Sequence, residues 1–394
     1  MTRFLTVLLV VLCLAAPGRA ALPSIPVHAW FSIPPEYTSV ERYRELAEAG
    51  FTTSMSGFPD AAAVAKALDA AGKAGVKLFI TCPELSTDPE GTVRRFMGHP
   101  ALAGYHLRDE PNAKDFPDLA AWMKRIQAVD RDHPCYINLY PTYANEQQLG
   151  TPTYQAHVDS FVAAVPIPFI SLDHYPVLEN GLRPDWYENL EIISDAARKI
   201  GKPFWAFTLS VAIDPVYPVA TTATLRLQVY SDLAYGAQCI QYFTYWTPPS
   251  GQEKFHDGPI TAEGKRTPVY DLVREMNREI QRRARVFSGA RVVSVGHTGS
   301  AIPRGTKPFV PFPPFSGVRT EGKGAVVSRL ENGGATYLMV VNRDYRNPMP
   351  LEIALEPGAK VSRVNREGIA VPVKGERIRE TVPPGDAAVF VTGN

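Results

Sequence analysis

Tyr105-His106-Leu107-Arg108-Asp109-Glu110-Pro111-Asn112 is the stretch that decides the fold. A small apolar lead-in, Ala101 to Gly104, runs into a dense polar cluster and stops at a proline. A barrel strand has this texture when its buried half packs and its C-terminal end opens into a site. That reading requires further segments of the same kind, regularly spaced and separated by helices.

Such segments run from Val27 to about Ser288. The β-like stretches are His28–Ile33, Phe51–Ser56, Lys77–Cys82, Ala103–Glu110, Cys135–Tyr140, Phe169–Tyr175, Pro203–Leu209 and Cys239–Trp246. Helical periodicity fills the gaps at Val40–Ala49, Ala61–Ala74, Gly91–Met97, Asp115–Val129, Gln155–Val165, Asp185–Ile200, Thr222–Tyr235 and Pro268–Val286. Gly50, Gly75, Gly201 and Gly236 stand where left-handed helix ends want them. Eight alternations over this length predict an α/β fold, a (β/α)8 TIM barrel. A doubly wound sheet would bring a Gly-rich phosphate loop after the first strand, where this chain has Ser32-Ile33-Pro34-Pro35. Beyond Gly289 the runs shorten and alternate, at Val292–Val295, Gly324–Leu330, Thr336–Asn342 and Ala387–Thr392, and a Pro-rich loop spans Ile302 to Ser316. The second domain, 289–394, therefore reads as a small all-β sandwich following a barrel over 21–288.

The 394 residues carry a formal net charge of +1, with 21% charged and 45% hydrophobic, so nothing favours nucleic acid or a membrane as partner. The N-terminus reads as a cleavable signal peptide over 1–20. Arg3 supplies the positive end, Phe4 to Ala16 the apolar stretch, and Gly18-Arg19-Ala20 the small-residue cleavage pattern. Cys13 follows Val-Val-Leu rather than small residues, which argues against a lipid anchor. The expectation is a secreted or periplasmic protein. Cys82, Cys135 and Cys239 are an odd number, each within an apolar run, so they read as buried thiols rather than a disulfide framework or zinc site.

Function in such a barrel sits at the C-terminal ends of the strands. Those ends offer Trp30; His106, Arg108, Asp109 and Glu110; Asn138 and Tyr140; Asp173, His174 and Tyr175; and Tyr242 and Trp246, with Trp205 on the seventh strand. Sugars present hydroxyl edges and apolar C–H faces, so their sites combine aromatic platforms with carboxylates, amides and imidazoles. Glycosidic cleavage needs a proton donor and a second carboxylate. Glu110 is the donor candidate. Burial would raise its pKa as that role requires, whereas an ion pair with Arg108 would lower it.

The tripeptide Asp109-Glu110-Pro111 resembles the Asn-Glu-Pro that ends strand 4 in clan A glycoside hydrolases. The resemblance implies that Glu110 is the general acid/base. Asp173-His174-Tyr175-Pro176 is similar to strand 6 endings of that clan, and Tyr242-Phe243-Thr244-Tyr245-Trp246 to its aromatic floor. Gly264-Lys265-Arg266-Thr267-Pro268-Val269-Tyr270, followed by a helix and a β domain, resembles β-galactosidase-like barrels. Two departures stand out. Asp109 replaces the family Asn that holds the sugar 2-hydroxyl. The seventh strand, where the clan carries its nucleophile Glu, has no carboxylate before Asp214.

The second carboxylate is then expected at Asp173, ahead of Glu84, Asp109, Asp214, Glu253 and Asp257. A separation of roughly 6.5–9.5 Å from Glu110 would make the pair inverting. His106, His174 and His256 lie on separate elements without i, i+4 spacing, so no metal is expected, and no other cofactor. The competing reading is a non-catalytic carbohydrate-binding barrel. Lyase or esterase chemistry on the same rim is a third.

Overall fold

The computed structural model describes residues 23–393. The expected signal segment, with Cys13, lies outside them. Eight parallel strands close into a barrel: β1 (Val27–Trp30), β2 (Thr53–Met55), β3 (Lys77–Ile80), β4 (Leu102–Asp109), β5 (Cys135–Leu139), β6 (Ile170–Leu172), β7 (Phe204–Leu209) and β8 (Cys239–Phe243). Each pairs with its neighbours in the chain, and β8 returns to β1 through Val27 opposite Ile240. The intervening helices begin where the residue chemistry allows. Ser39, Asp60, Thr153 and Thr221 each accept a backbone N–H in the first turn of the helix they open. Gly75 and Gly236 end two of them at φ of 76° and 99°, where a side chain would be strained.

Side chains alternate along each strand, so the barrel sorts its residues into two cores. The lumen holds Trp30, Met55, Phe79, Tyr136, Phe169 and Phe207, packed largely edge to face. The outward-facing set packs against the helices in a larger apolar layer that includes Leu78, Leu107, Ile137, Ala206 and Tyr242. Each such buried aromatic or aliphatic side chain is stabilised by about 1.5–3 kcal/mol relative to exposure. The β4–β5 register slips by one residue between His106 and Arg108. That bulge brings Asp109 opposite Asn138 at the barrel mouth.

The barrel elements end at Phe287 and antiparallel strands follow from Arg291. Arg291–Thr298, Ala325–Asn332, Ala335–Asn342 and Ala387–Thr392 form most of a six-stranded sheet completed by Val361–Val364 and Ala370–Pro372. Phe315–Arg319, Met349–Leu355 and Arg377–Val382 form the facing three-stranded sheet. Phe315, Leu338, Ile353 and Phe390 fill the space between the two sheets. These last five strands carry no clear alternation in the sequence, and the first of them in the chain begins inside the Pro-rich stretch Ile302–Ser316 expected to be a loop. Met349–Leu355 alternates buried and part-buried residues strictly, but Pro350 masks the pattern. Phe315–Arg319 pairs only from Glu352 to Leu355, so the missing Pro350 N–H takes no bond from that ladder.

The outer face of the six-stranded sheet packs on the helix Thr222–Tyr235 through Val326, Leu330 and Met339. Arg283, 1% exposed, pins this junction by donating to the Tyr230 hydroxyl at 2.9 Å and to the Asn365 carbonyl at 3.0 Å. Among the described residues no helix is long and apolar enough to cross a membrane. Cys82, Cys135 and Cys239 are buried and free.

Candidate active site

The mouth of the barrel is built first by backbone. Glu110 sits one residue past β4 at φ 45°, and its N–H donates to the Asn138 carbonyl at 2.8 Å. Phe31, just after β1, has φ 47°, and Asp257, in the loop after β8, has φ 50°. Left-handed backbone is unfavourable for residues with a side chain and collects where surrounding structure forces it for a purpose. The loops after β7 and β8 are tied together over the rim by an antiparallel pair, Ala212–Asp214 with Lys254–His256.

Three carboxyl groups converge here. Burial, then the Asp109 charge, pushes Glu110 up to about 7, while a hydrogen bond with Asp173 pulls the other way. Asp173 is driven well above the carboxylate range by burial and then by Glu110. Asp109 is exposed on its outer side, and the protein around the rest of it raises its pKa. Asn138 opposes that shift by donating Nδ2–H to Asp109 Oδ1 at 3.1 Å. Arg108 is exposed, and the shift of Glu110 owes nothing to it, so the rim ion pair weighed from sequence is not formed. A protonated Glu110 near neutral pH is a competent general acid.

The titrations of Glu110 and Asp173 are tied to each other, which keeps Asp173 the leading second carboxylate; inversion would require roughly 6.5–9.5 Å between the two.

The other expected residues divide between mouth, lumen and outer wall. Tyr140, at the end of β5, is half-buried and feels the charges of Glu110, Asp109 and Asp173 after the effect of burial. Tyr175 is buried, packs on Phe243 at 5.5 Å, and pulls against the upward shift of Asp173. Trp30 and His106 lie inside the lumen, 4.9 Å apart and edge to face. Burial lowers His106 to about 4, so its ring is neutral, and both ring nitrogens lack partners within the protein. His174 is buried beside Asp185, at 3.6 Å, and under the ring of Tyr143.

Three aromatics expected to touch sugar do not reach the mouth. Trp205 stacks on Phe169 at 3.7 Å near the start of β7, the opposite end of the barrel. Tyr242 points outward against Phe51, because Gln241 and Phe243 hold the lumen-facing phase of β8. Trp246 packs on Tyr37 at 4.8 Å and donates to the Ala262 carbonyl, also outside the lumen. Of the weaker carboxylates, Glu84 accepts the Ala61 N–H at 2.9 Å, which holds its pKa low. Asp214 and Asp257 flank His256 at 3.2 and 2.8 Å on the exposed rim, and Glu253 is exposed.

Sequence reasoning missed Tyr143. It is 39% exposed, lies over the Arg183 guanidinium at 4.0 Å, and faces His174. Its position in the long Pro141–Tyr154 loop was the only available signal. Ser171 and Tyr136, which link Asn138 to Gln241, were also missed. Their lumen-facing phase on β6 and β5 could have exposed them. At the β7 end, Phe207 and Leu209 are apolar and Ser210 donates its hydroxyl to the Thr244 carbonyl at 2.8 Å. The strand presents no carboxylate to the mouth. No three His, Cys, Asp or Glu side chains among the described residues converge as a metal site.

An eight-stranded parallel barrel capped by a β-sandwich, with an acidic strand 4 end, defines a clan A glycoside hydrolase-like fold. The family model of glycoside hydrolase family 42, described as beta-galactosidase, matches residues 119–283. The matched stretch begins after Glu110 and includes Asp173. A catalytic mutant of Gan42B, a GH42 beta-galactosidase from G. stearothermophilus, superposes with a TM-score of 0.64 at 9% identity, covering 94% of this chain and 98% of that one. The beta-galactosidase of Bacillus circulans sp. alkalophilus gives 0.62 at 10% identity over 94% and 99%. For the beta-galactosidase of Marinomonas ef1 the values are 0.47 and 11%, and the match covers 65% of this chain but 59% of that one. No curated protein matches. The family match together with the fold supports a glycoside hydrolase as the enzyme class.

Proposed function

We propose that the protein is an exported glycoside hydrolase that cleaves a poly- or oligosaccharide, with Glu110 as proton donor. The observation that carries this is a carboxyl at the C-terminal end of strand 4, in a strained backbone turn and pushed to about 7 by burial and Asp109. Asp173, driven well above the carboxylate range by burial and then by Glu110, remains the leading second carboxylate. Tyr140 and Tyr143 flank the mouth as apolar faces for sugar rings. Export rests on the N-terminal Arg3 to Ala20 pattern.

A non-catalytic carbohydrate-binding barrel is the second reading, and the apolar β7 end favours it. Hydrolysis of a glycan panel decides between them. The panel begins with β-galactosides, because beta-galactosidase describes the matching family and several relatives of the same fold. Cleavage by the parent, reduced by about 10²–10⁴-fold in Glu110→Gln, establishes the donor. Binding of a glycan without cleavage by either protein establishes the second reading.

A further inference from the structure

Beneath the carboxylates, a chain of four hydrogen bonds crosses the barrel lumen. The Tyr136 hydroxyl donates to Gln241 Oε1 at 2.5 Å, and Gln241 Nε2 donates to Ser171 Oγ at 2.9 Å. Ser171 Oγ donates to Asn138 Oδ1 at 2.8 Å, and Asn138 Nδ2 donates to Asp109 at 3.1 Å. Asn138, Ser171, Gln241 and Tyr136 are each 1% exposed or less.

The direction of this chain follows from chemistry. A 2.5 Å contact suits O–H···O and is too short for N–H···O, so Gln241 presents its carbonyl to Tyr136. Its amide N–H then faces Ser171, whose single hydroxyl proton goes to Asn138 at 2.8 Å in preference to the Tyr136 oxygen at 3.3 Å. The Asn138 carbonyl is thereby occupied, and only its N–H can face Asp109. A reversed Asn138 would set a carbonyl oxygen against Asp109, which is tolerable only if Asp109 is protonated.

We propose that Asn138 is a positioning residue, locked in one amide orientation by Ser171, Gln241 and Tyr136, which holds Asp109 as the hydrogen-bond-accepting, ionised carboxylate of the site. The acceptor, Asp109, lies at the rim and the donor, Asn138, one layer beneath it. Asp109 thus selects a ligand that offers a hydroxyl or other donor, and its charge helps keep the site's proton on Glu110. The titratable groups that act with Asp109 are Glu110 just past its own strand, Tyr136 on β5, Tyr140 just past β5, and Asp173 and Tyr175 just past β6.

The test is a carboxyl-¹³C NMR titration of the full mature chain and of Ser171→Ala, Ser171→Thr and Gln241→Met. In the parent, Asp109 loses its proton at lower pH than Glu110. In Ser171→Ala its midpoint rises by about one pH unit, because a freed amide no longer favours the charged form. Ser171→Thr keeps the hydroxyl and restores the parent midpoint. Gln241→Met acts two bonds away and raises the midpoint by less, which serves if Ser171→Ala does not fold. Should a glycan be cleaved, the acid limb of kcat/KM moves up with Asp109 while the alkaline limb stays. A role in packing alone would lower the rate at every pH. An Asp109 midpoint unmoved in both Ser171→Ala and Gln241→Met overturns the proposal, as does a parent Asp109 that titrates above Glu110. The inference rests on the glycosidase reading only for its kinetic arm. If no glycan is cleaved, that reading fails while the titration still decides this one.

Discussion

The ends of β4 and β7 face the same mouth and are built on opposite principles. β4 ends in a register slip, a left-handed Glu110 and two adjacent carboxylates whose mutual repulsion and burial hold a proton near neutrality. β7 ends in Phe207 and Leu209 packed into the lumen, with Ser210 spending its hydroxyl on a backbone carbonyl. One end stores unfavourable backbone and charge, and the other contributes packing. The titratable groups of this mouth are concentrated at the ends of β4 and β6.

That contrast breaks first under activity measurements. Glu110→Gln is expected to lower cleavage by about 10²–10⁴-fold while leaving the protein folded, read by initial rates and thermal melting side by side. Leu209→Ala is the counterpart. Leu209 is 5% exposed in the lumen, so its truncation should destabilise by about 2–5 kcal/mol in denaturant melts, with the rate per folded molecule changing less than tenfold. Equal activity losses at both ends would abolish the distinction.

Two pH experiments sharpen it. Because Glu110 must be protonated to act, kcat/KM should fall about tenfold per pH unit above about 7, and a rate still rising at pH 8.5 would assign the acid elsewhere. Stability carries the same signature. Between pH 4.5 and about 7 the native Glu110 keeps a proton that the unfolded chain has released, so stability declines across that window and stays lowered above it. Glu110→Gln should therefore stabilise the protein by about 1–3 kcal/mol at pH 8 and not at pH 4. The smallest effect is expected at Tyr143. Tyr143→Ala should raise KM by roughly three- to tenfold with kcat little changed, since an exposed ring on Arg183 offers a sugar face and carries little of the core.

The barrel was legible because each of its strands is an apolar run bracketed by turn residues and followed by a helix of 3.6 periodicity. That information is local, and helix ends such as Gly75 and Gly236 announce themselves. Glu110 was legible for the same reason, as a polar cluster at the end of such a run. The sandwich was half legible, since Pro350 interrupts the alternation of Met349–Leu355 and the Pro-rich approach conceals Phe315–Arg319. Facing direction was not legible at all. Tyr242 and Trp246 look like rim aromatics in a row, but strand phase turns Tyr242 to the helices and the strand's end releases Trp246 to pack on Tyr37. Nor could sequence join Asn138 to Ser171, 33 residues away, or Ser171 to Gln241, 70 residues away, which meet only when the barrel closes. Sequence alone determined the alternating barrel and the carboxyl cluster at the end of strand 4, because both are written in short-range pattern. Tertiary structure decided which carboxyls titrate together and which amide faces Asp109, because burial and charge repulsion between residues far apart in the chain exist only once the mouth has formed.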